Sequence, residues 1–176
     1  MADPFILTAV LPPDLQGFAE GLRRAHYPPE RNHLHAHVTL FHAFAPALLA
    51  ELLDFVPKIA AEFAPPQGAV KGVMDLGKGT AIALDAPELL RLRARVAEHF
   101  RGSLTAQDLH EPRPHITIQN KVTKEEARAL QAGLAPVLAP WIKKGRFAFP
   151  ALALHRYRGG PWEPIKTSAF RGRERA

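Results

Sequence analysis

The sequence predicts an α+β fold of two similar lobes, with antiparallel sheets flanked by helices around a central cleft. Three observations predict it. A polar-apolar-polar-apolar run occurs twice, as His37-Val38-Thr39-Leu40 and as His115-Ile116-Thr117-Ile118. The same order of elements surrounds each copy: strand, helix, polar loop, motif strand, helix, strand. The spacing is also kept, with His37 and His115 78 positions apart and Asp14 to Pro87, Pro46 to Thr123 and Ala69 to Phe147 at similar offsets. A tandem duplication in organisation, with little identity outside the motif, accounts for all three. We expect a single domain over 1–176, made of lobes near 1–78 and 79–176 with strands free to exchange between them.

Taken in order, Phe5 to Leu11 is an apolar run closed by Pro12-Pro13, which suits a buried strand. Asp14 is placed to cap a helix whose Leu15, Phe18, Ala19 and Leu22 recur at helical spacing, and Pro28-Pro29 stops it. A polar segment, Arg31 to Ala36, leads into the first motif strand. Pro46 suits the first turn of a second helix, about Ala47 to Phe63. Leu48, Leu49, Leu52, Leu53 and Val56 are expected inward, with a break or kink at Pro57. Pro65-Pro66-Gln67-Gly68 reads as a loop. Val70 to Leu76 and Thr80 to Leu84 read as strands joined by a Gly77-Lys78-Gly79 turn. Pro87 opens a third helix, and a polar loop from Ser103 to Pro114 precedes the second motif strand. Thr123 and Glu126 form a capping box for a fourth helix running to about Leu138. Arg146 to Tyr157 is one long strand, bent or interrupted at Pro150. Gly159-Gly160-Pro161 then turns the chain into a last strand, about Pro164 to Phe170.

Length and composition bound the answer. A chain of 176 residues can build one sizeable core, and 47% apolar with 23% charged residues is ordinary for a soluble globular protein. No run approaches the ~18 apolar residues of a membrane span, and Met1-Ala2-Asp3-Pro4 lacks the basic start of a secretory signal. No membrane partner is therefore expected. The absence of cysteine excludes disulfides, thiolate nucleophiles and Cys-ligated zinc, and fits a reducing cytoplasmic setting. A net charge of +6 favours phosphate-bearing partners. Part of that charge lies in Arg171, Arg173 and Arg175, which read as a frayed, solvated tail.

The motif carries the chemistry. Side chains two apart share a strand face, so Val38, Leu40, Ile116 and Ile118 turn inward while His37, Thr39, His115 and Thr117 emerge together. One copy alone describes a half-exposed strand with a surface histidine; two copies at matching places describe a site. Imidazole titrates near neutrality, so one ring can accept a proton while the other donates. In-line displacement at phosphorus needs these actions on opposite sides of the phosphate, and a pseudo-twofold pair supplies them. The threonine hydroxyls can donate to the non-bridging oxygens, where charge gathers. The motif's symmetry leaves acid and base unassigned, and no metal or other cofactor is required.

With His37-Val38-Thr39-Leu40, Arg113-Pro114-His115-Ile116-Thr117-Ile118 and the ending Leu154-His155-Arg156-Tyr157-Arg158-Gly159-Gly160-Pro161-Trp162, the sequence resembles the 2H (two-histidine) phosphoesterases. Within them it is similar in pattern to the bacterial 2′-5′ RNA ligase and 2′,3′-cyclic phosphodiesterase group. The resemblance implies a bilobal α+β fold and metal-independent phosphoester chemistry on RNA or nucleotides bearing a cyclic phosphate. It also implies catalysis by His37 and His115 and phosphate binding by Thr39 and Thr117. No obligate protein partner is implied, and a monomer is expected.

Phe41 and Gln119 lie two beyond each threonine and are candidates to line the cleft, Phe41 by stacking on a base or by packing in the core. Lys121, Arg156 and Arg158 are candidates for flanking phosphates, and Trp162 for base stacking. Two rivals stand beside this reading. His33, His35 and His37 alternate, with His42 nearby, so a His-ligated metal hydrolase is one; no His-Glu-x-x-His pattern supports it. A non-catalytic RNA-binding module is the other, although Arg and Lys would serve binding better than paired histidines.

Overall fold

Each motif strand forms the edge of its own sheet, and the rest of the fold brings those two edges together. The structure, a computed structural model, describes residues 2–176. In chain order its elements are β1 (Phe5–Ala9), α1 (Pro13–His26), β2 (Val38–Phe44), α2 (Leu49–Glu62), β3 (Gln67–Asp75), β4 (Gly79–Asp85), α3 (Pro87–His99), β5 (His115–Asn120), α4 (Lys124–Lys144), β6 (Arg146–Ala148), β7 (Ala151–Tyr157) and β8 (Trp162–Ala169). One sheet has the order β2-β1-β7-β8 and the other β5-β4-β3-β6, and every neighbouring pair is antiparallel. The expected α+β architecture of two antiparallel sheets flanked by helices is the one observed. The strand that follows α2 joins the second sheet beside β4, and the strand that leads on from α4 and β6 joins the first sheet beside β1. Each sheet thus draws on both halves of the sequence.

The apolar run of β1 is buried along its whole length because it lies between β2 and β7. A single apolar core runs through both sheets, from Phe5, Leu7 and Val38 to Ile82, Ile116 and Ile118. Helix α1 follows β1 in the chain yet packs on β5, α2 covers β7 and β8, and α4 covers β3 and β4. The β3–β4 hairpin turns through Gly77, whose φ of 81° suits a residue without Cβ. Among the described residues no helix is long and apolar enough to cross a membrane.

Several expectations are corrected. Arg146 to Tyr157 is two strands in different sheets, β6 and β7; the chain crosses between them at Phe149-Pro150, with Phe149 fully buried and its amide donating to Pro66 O at 2.9 Å. Pro57 neither ends nor divides α2. The carbonyl it leaves without a helical donor belongs to Leu53, which faces solvent at 38% exposure and not the core. Helix α4 continues past Leu138 to Lys144 through Pro136 and Pro140. Both prolines lie on its exposed side, so the carbonyls they leave without a helical donor, those of Ala132 and Pro136, are on exposed residues, while Leu134 and Leu138 anchor the other side. Its capping box is present, with Thr123 Oγ1 accepting from the Glu126 amide at 3.1 Å and Glu126 Oε2 from the Thr123 amide at 2.9 Å. Asp14 sits in the first turn of α1, behind Pro12 and Pro13, and ion-pairs with Lys144 across to α4. The tail is docked rather than frayed. Gly172 N donates to Phe63 O at 3.0 Å, Ala64 N to Glu174 O at 2.8 Å, and Arg175 reaches Pro65 O at 3.2 Å and Glu88 at 3.4 Å.

Candidate functional site

Both motif strands carry the same irregularity at the same place. In β2, Thr39 pairs with Thr8 but Phe41 pairs with Leu7; in β5, Thr117 pairs with Ala81 but Gln119 pairs with Thr80. Two residues of the motif strand therefore oppose one step of the partner, which is a β-bulge just beyond each threonine. Up to the bulge the alternation holds: Val38, Leu40, Ile116 and Ile118 are buried, and Thr39 and Thr117 are half-buried on the opposite face. Beyond it the alternation slips by one. Phe41 is fully buried against Phe44, and Gln119 is buried with its Oε1 accepting from the Thr80 hydroxyl at 2.9 Å. Strict alternation would put both in the cleft; the bulges turn them into the core.

The histidines are held alike. His37 Nδ1 lies 2.7 Å from His35 O, and His115 Nδ1 lies 2.8 Å from Arg113 O. A carbonyl oxygen only accepts, so each Nδ1 carries the hydrogen and each Nε2 is left free for chemistry. β2 and β5 approach one another, and the two rings are close enough for their charges to interact. Burial pushes the His37 pKa down to about 4, against the bond to His35 O, with the Arg23 charge and the imidazoles of His155 and His115 adding to the shift. The ring shows an edge to solvent but is closely packed, with Trp162 at 4.6 Å between ring centroids.

Two buried arginines link the halves. Arg23 of α1 donates from Nε to Asn32 Oδ1 at 3.1 Å, in the loop before His37, and from Nη1 to Thr117 O at 2.7 Å. Arg93 of α3 donates to Asp108 O, in the loop before His115, and from Nε to Leu40 O at 3.2 Å. Each guanidinium thus ties the approach to one motif to the strand of the other. Outer carbonyls of an edge strand have no ladder partner, and the planar guanidinium fork supplies donors in two directions. Asp108 extends the second link, accepting from the His42 and Ala43 amides at 2.9 Å. Burial pushes its carboxyl up, but the bonds from His42 and Ala43 outweigh this and hold it below its ordinary value. Neither arginine stands out in the sequence, since each sits among other charges on an amphipathic helix.

The remaining candidates fall in different places. Trp162 opens β8 with its ring between His37 and His155, the latter at 5.4 Å. In the sequence His155 stands only within the ending Leu154 to Trp162, with no role of its own; its place two residues beyond Ala153 on β7, opposite Ile6, brings it beside Trp162. Arg156 and Arg158 are engaged at the β7–β8 hairpin, Arg156 with Glu163 at 3.3 Å and Arg158 with Glu163 at 3.0 Å and Asp3 at 3.4 Å. Lys121 is exposed in the turn after β5, at φ 59°. The metal rival loses its geometry. Strand β2 begins at Val38, so His33, His35 and His37 share no strand face. His35 pairs with Glu20 at 2.9 Å, and His42 points to Asp108 at 3.3 Å. Among the described residues no three His, Asp or Glu side chains gather where they could share a cation.

Comparison with known proteins agrees with this architecture. Solved structures with the same fold include TT0787 of Thermus thermophilus (17% identity, 96% of this chain and 98% of that chain, TM-score 0.64). E. coli LigT in its complex with 3′-AMP matches at 16% identity over 97% and 99% of the two chains, with TM-score 0.55. Usb1 of Kluyveromyces marxianus matches at 14% identity over 96% and 98%, with TM-score 0.57. No curated protein matches the chain. The family model of the 2′-5′ RNA ligase superfamily matches residues 11–161, a span that holds both motif strands, both arginine links and His155. On that match over most of its length, the chain belongs to the 2′-5′ RNA ligase superfamily.

Proposed function

We propose that the protein opens 2′,3′-cyclic phosphates on RNA ends or nucleotides by metal-independent two-histidine catalysis. The observation that carries this reading is the mirrored pair of Nδ1–H bonds to His35 O and Arg113 O, which leaves two Nε2 atoms free at the starts of neighbouring edge strands. His37, kept neutral by its surroundings, accepts a proton from water as the water oxygen attacks phosphorus. The bond from phosphorus to one ribose oxygen breaks, and His115 delivers its Nε2 proton to that oxygen, leaving a phosphomonoester. The Thr39 and Thr117 hydroxyls donate to the non-bridging oxygens as charge builds there. With a 5′-hydroxyl in place of water and the 3′ oxygen as leaving group, the same steps form a 2′-5′ linkage. Superfamily membership supports phosphoester chemistry, and the 3′-AMP bound to LigT is what opening a cyclic phosphate at its 2′ bond leaves.

The test uses nucleoside 2′,3′-cyclic phosphates and a cyclic-phosphate-ended oligoribonucleotide, in EDTA. Wild type is expected to turn over, and His37→Ala and His115→Ala are each expected to lose ~10²- to 10⁴-fold. Activity that survives either substitution, or that EDTA abolishes, would sink the mechanism. Binding of the oligonucleotide without turnover by the wild type would favour an RNA-binding module instead.

A further inference from the structure

We propose that His155 is a third functional histidine of this site, a neutral hydrogen-bond donor that reads the base of the nucleotide whose phosphate lies at His37. The proposal rests on the phosphodiesterase reading and adds a base subsite to it. His37, Trp162 and His155 form a row of rings, 4.6 Å and then 5.4 Å between centroids. The row walls a cavity of about 480 Å³, lined also by Glu20, Ala153 and Thr167. That volume is in the range that holds a small ligand, and Trp162 with Ala153 offers an apolar wall for a planar ring.

The chemistry of His155 follows from one atom. Its Nδ1 is buried with no hydrogen-bond partner. A buried N–H without an acceptor is rarer and costlier than an unshared lone pair, so the hydrogen belongs on Nε2, the other ring nitrogen. A second proton would have to sit on Nδ1 with nothing to receive it, and burial accordingly pushes the His155 pKa down. This is the reverse of His37 and His115, whose Nδ1–H bonds leave Nε2 as the atom that takes up or gives a proton. The three rings thus divide the work: two can exchange protons, while His155 offers a fixed donor. A carbonyl oxygen or ring nitrogen of a nucleobase is the complementary acceptor. Glu20, also in the cavity wall, is already engaged by His35 at 2.9 Å and Gln16 at 2.7 Å.

Two variants and two substrates test this. His155→Phe keeps a ring but removes the donor; His155→Gln returns a donor. With nucleoside 2′,3′-cyclic phosphates, His155→Phe is expected to lower kcat/KM about tenfold, the worth of one hydrogen bond, and His155→Gln to recover part of it. With base-free ribose 2′,3′-cyclic phosphate the loss should be much smaller and the same for both variants, because no base is there to take the hydrogen bond. Equal losses on both substrates, or none on either, overturn the proposal. Independently, ¹⁵N NMR should find His155 as the Nε2–H tautomer, shifted by a nucleoside 3′-monophosphate but not by inorganic phosphate. An Nδ1–H tautomer, or no response to the nucleotide, also overturns it. A wild type inert on both cyclic phosphates defeats the phosphodiesterase reading alone, and the NMR titration then decides His155.

Discussion

A proton on His37 is disfavoured by burial, by the Arg23 charge and by the neighbouring imidazoles of His155 and His115. Two pH effects follow from its value of about 4 against the ordinary 6.5. Between these values the unfolded chain binds the proton and the folded state does not. Stability gained from keeping His37 neutral is therefore complete above about 6.5 and is lost as the pH falls towards 4, by at most ~3 kcal/mol. Urea denaturation over that window is expected to show the decline in wild type and a shallower one in His37→Asn. With His37 as base, the acid limb of kcat/KM should lie near pH 4; a limb near 6.5 would remove His37 from that role. Phe41 gives a contrasting expectation at the same scale. It is fully buried, so Phe41→Ala should cost about 3–5 kcal/mol in denaturation midpoint analysis and leave KM unchanged.

At the scale of elements, the two bulges and the two arginine links act together. The bulges end the alternating pattern just beyond each threonine, and Arg23 and Arg93 hold the motif strands across the halves. Arg23→Met leaves Thr117 O and Asn32 without their donor. The expected loss is ~1–3 kcal/mol in urea, and turnover should fall about tenfold or more through misplacement of Thr117. Arg23→Lys should restore little, because one ammonium cannot reach both partners in the fork geometry. An active, fully stable Arg23→Met would show that the link is dispensable. Gly79 makes a second element-level case. A Cβ there would stand 2.3 Å from Gln119 O and 2.8 Å from Asn120 Cα, at the close approach of β4 to the bulged strand. Gly79→Ala is expected to destabilise by at least ~1–3 kcal/mol and to weaken amide protection in β5, read by hydrogen exchange.

At the scale of the whole molecule, one core spans both sheets, each sheet takes strands from both halves, and the last residues join α2 to α3. Such a chain should unfold in one cooperative step. Deleting residues 171–176 removes the bonds to Ala60, Glu62, Phe63, Ala64 and Pro65. At ~0.5–1.5 kcal/mol each, their loss should lower stability by several kcal/mol without splitting the transition. Calorimetry showing two transitions would mean the lobes unfold separately. Charge acts at this scale too. The net +6 should make oligonucleotide binding weaken with salt, but Arg156 and Arg158 are already paired with carboxylates. Substituting either is therefore expected to change the salt slope by less than the ~0.7 per phosphate contact of a free cation on a single strand.

The sequence by itself determined the fold class, the existence and order of nearly all the helices and strands, and the two motif strands with their buried Val38, Leu40, Ile116 and Ile118. These are local properties: periodicity, proline and glycine punctuation, and a capping box act within a few residues and need no partner. What lay beyond the sequence depended on partners far along the chain. The bulges that turn Phe41 and Gln119 inward exist only against β1 and β4. The division of Arg146 to Tyr157 between two sheets is set by where β3 and β1 lie. Arg23 and Arg93 read as ordinary helix charges until packing aims them at carbonyls more than fifty residues away. His155 and Trp162 come together with His37, and the tail docks on α2, because tertiary packing decides which side chains meet. Local pattern specifies elements; only their assembly specifies neighbours, and the candidate chemistry of this protein is made between neighbours.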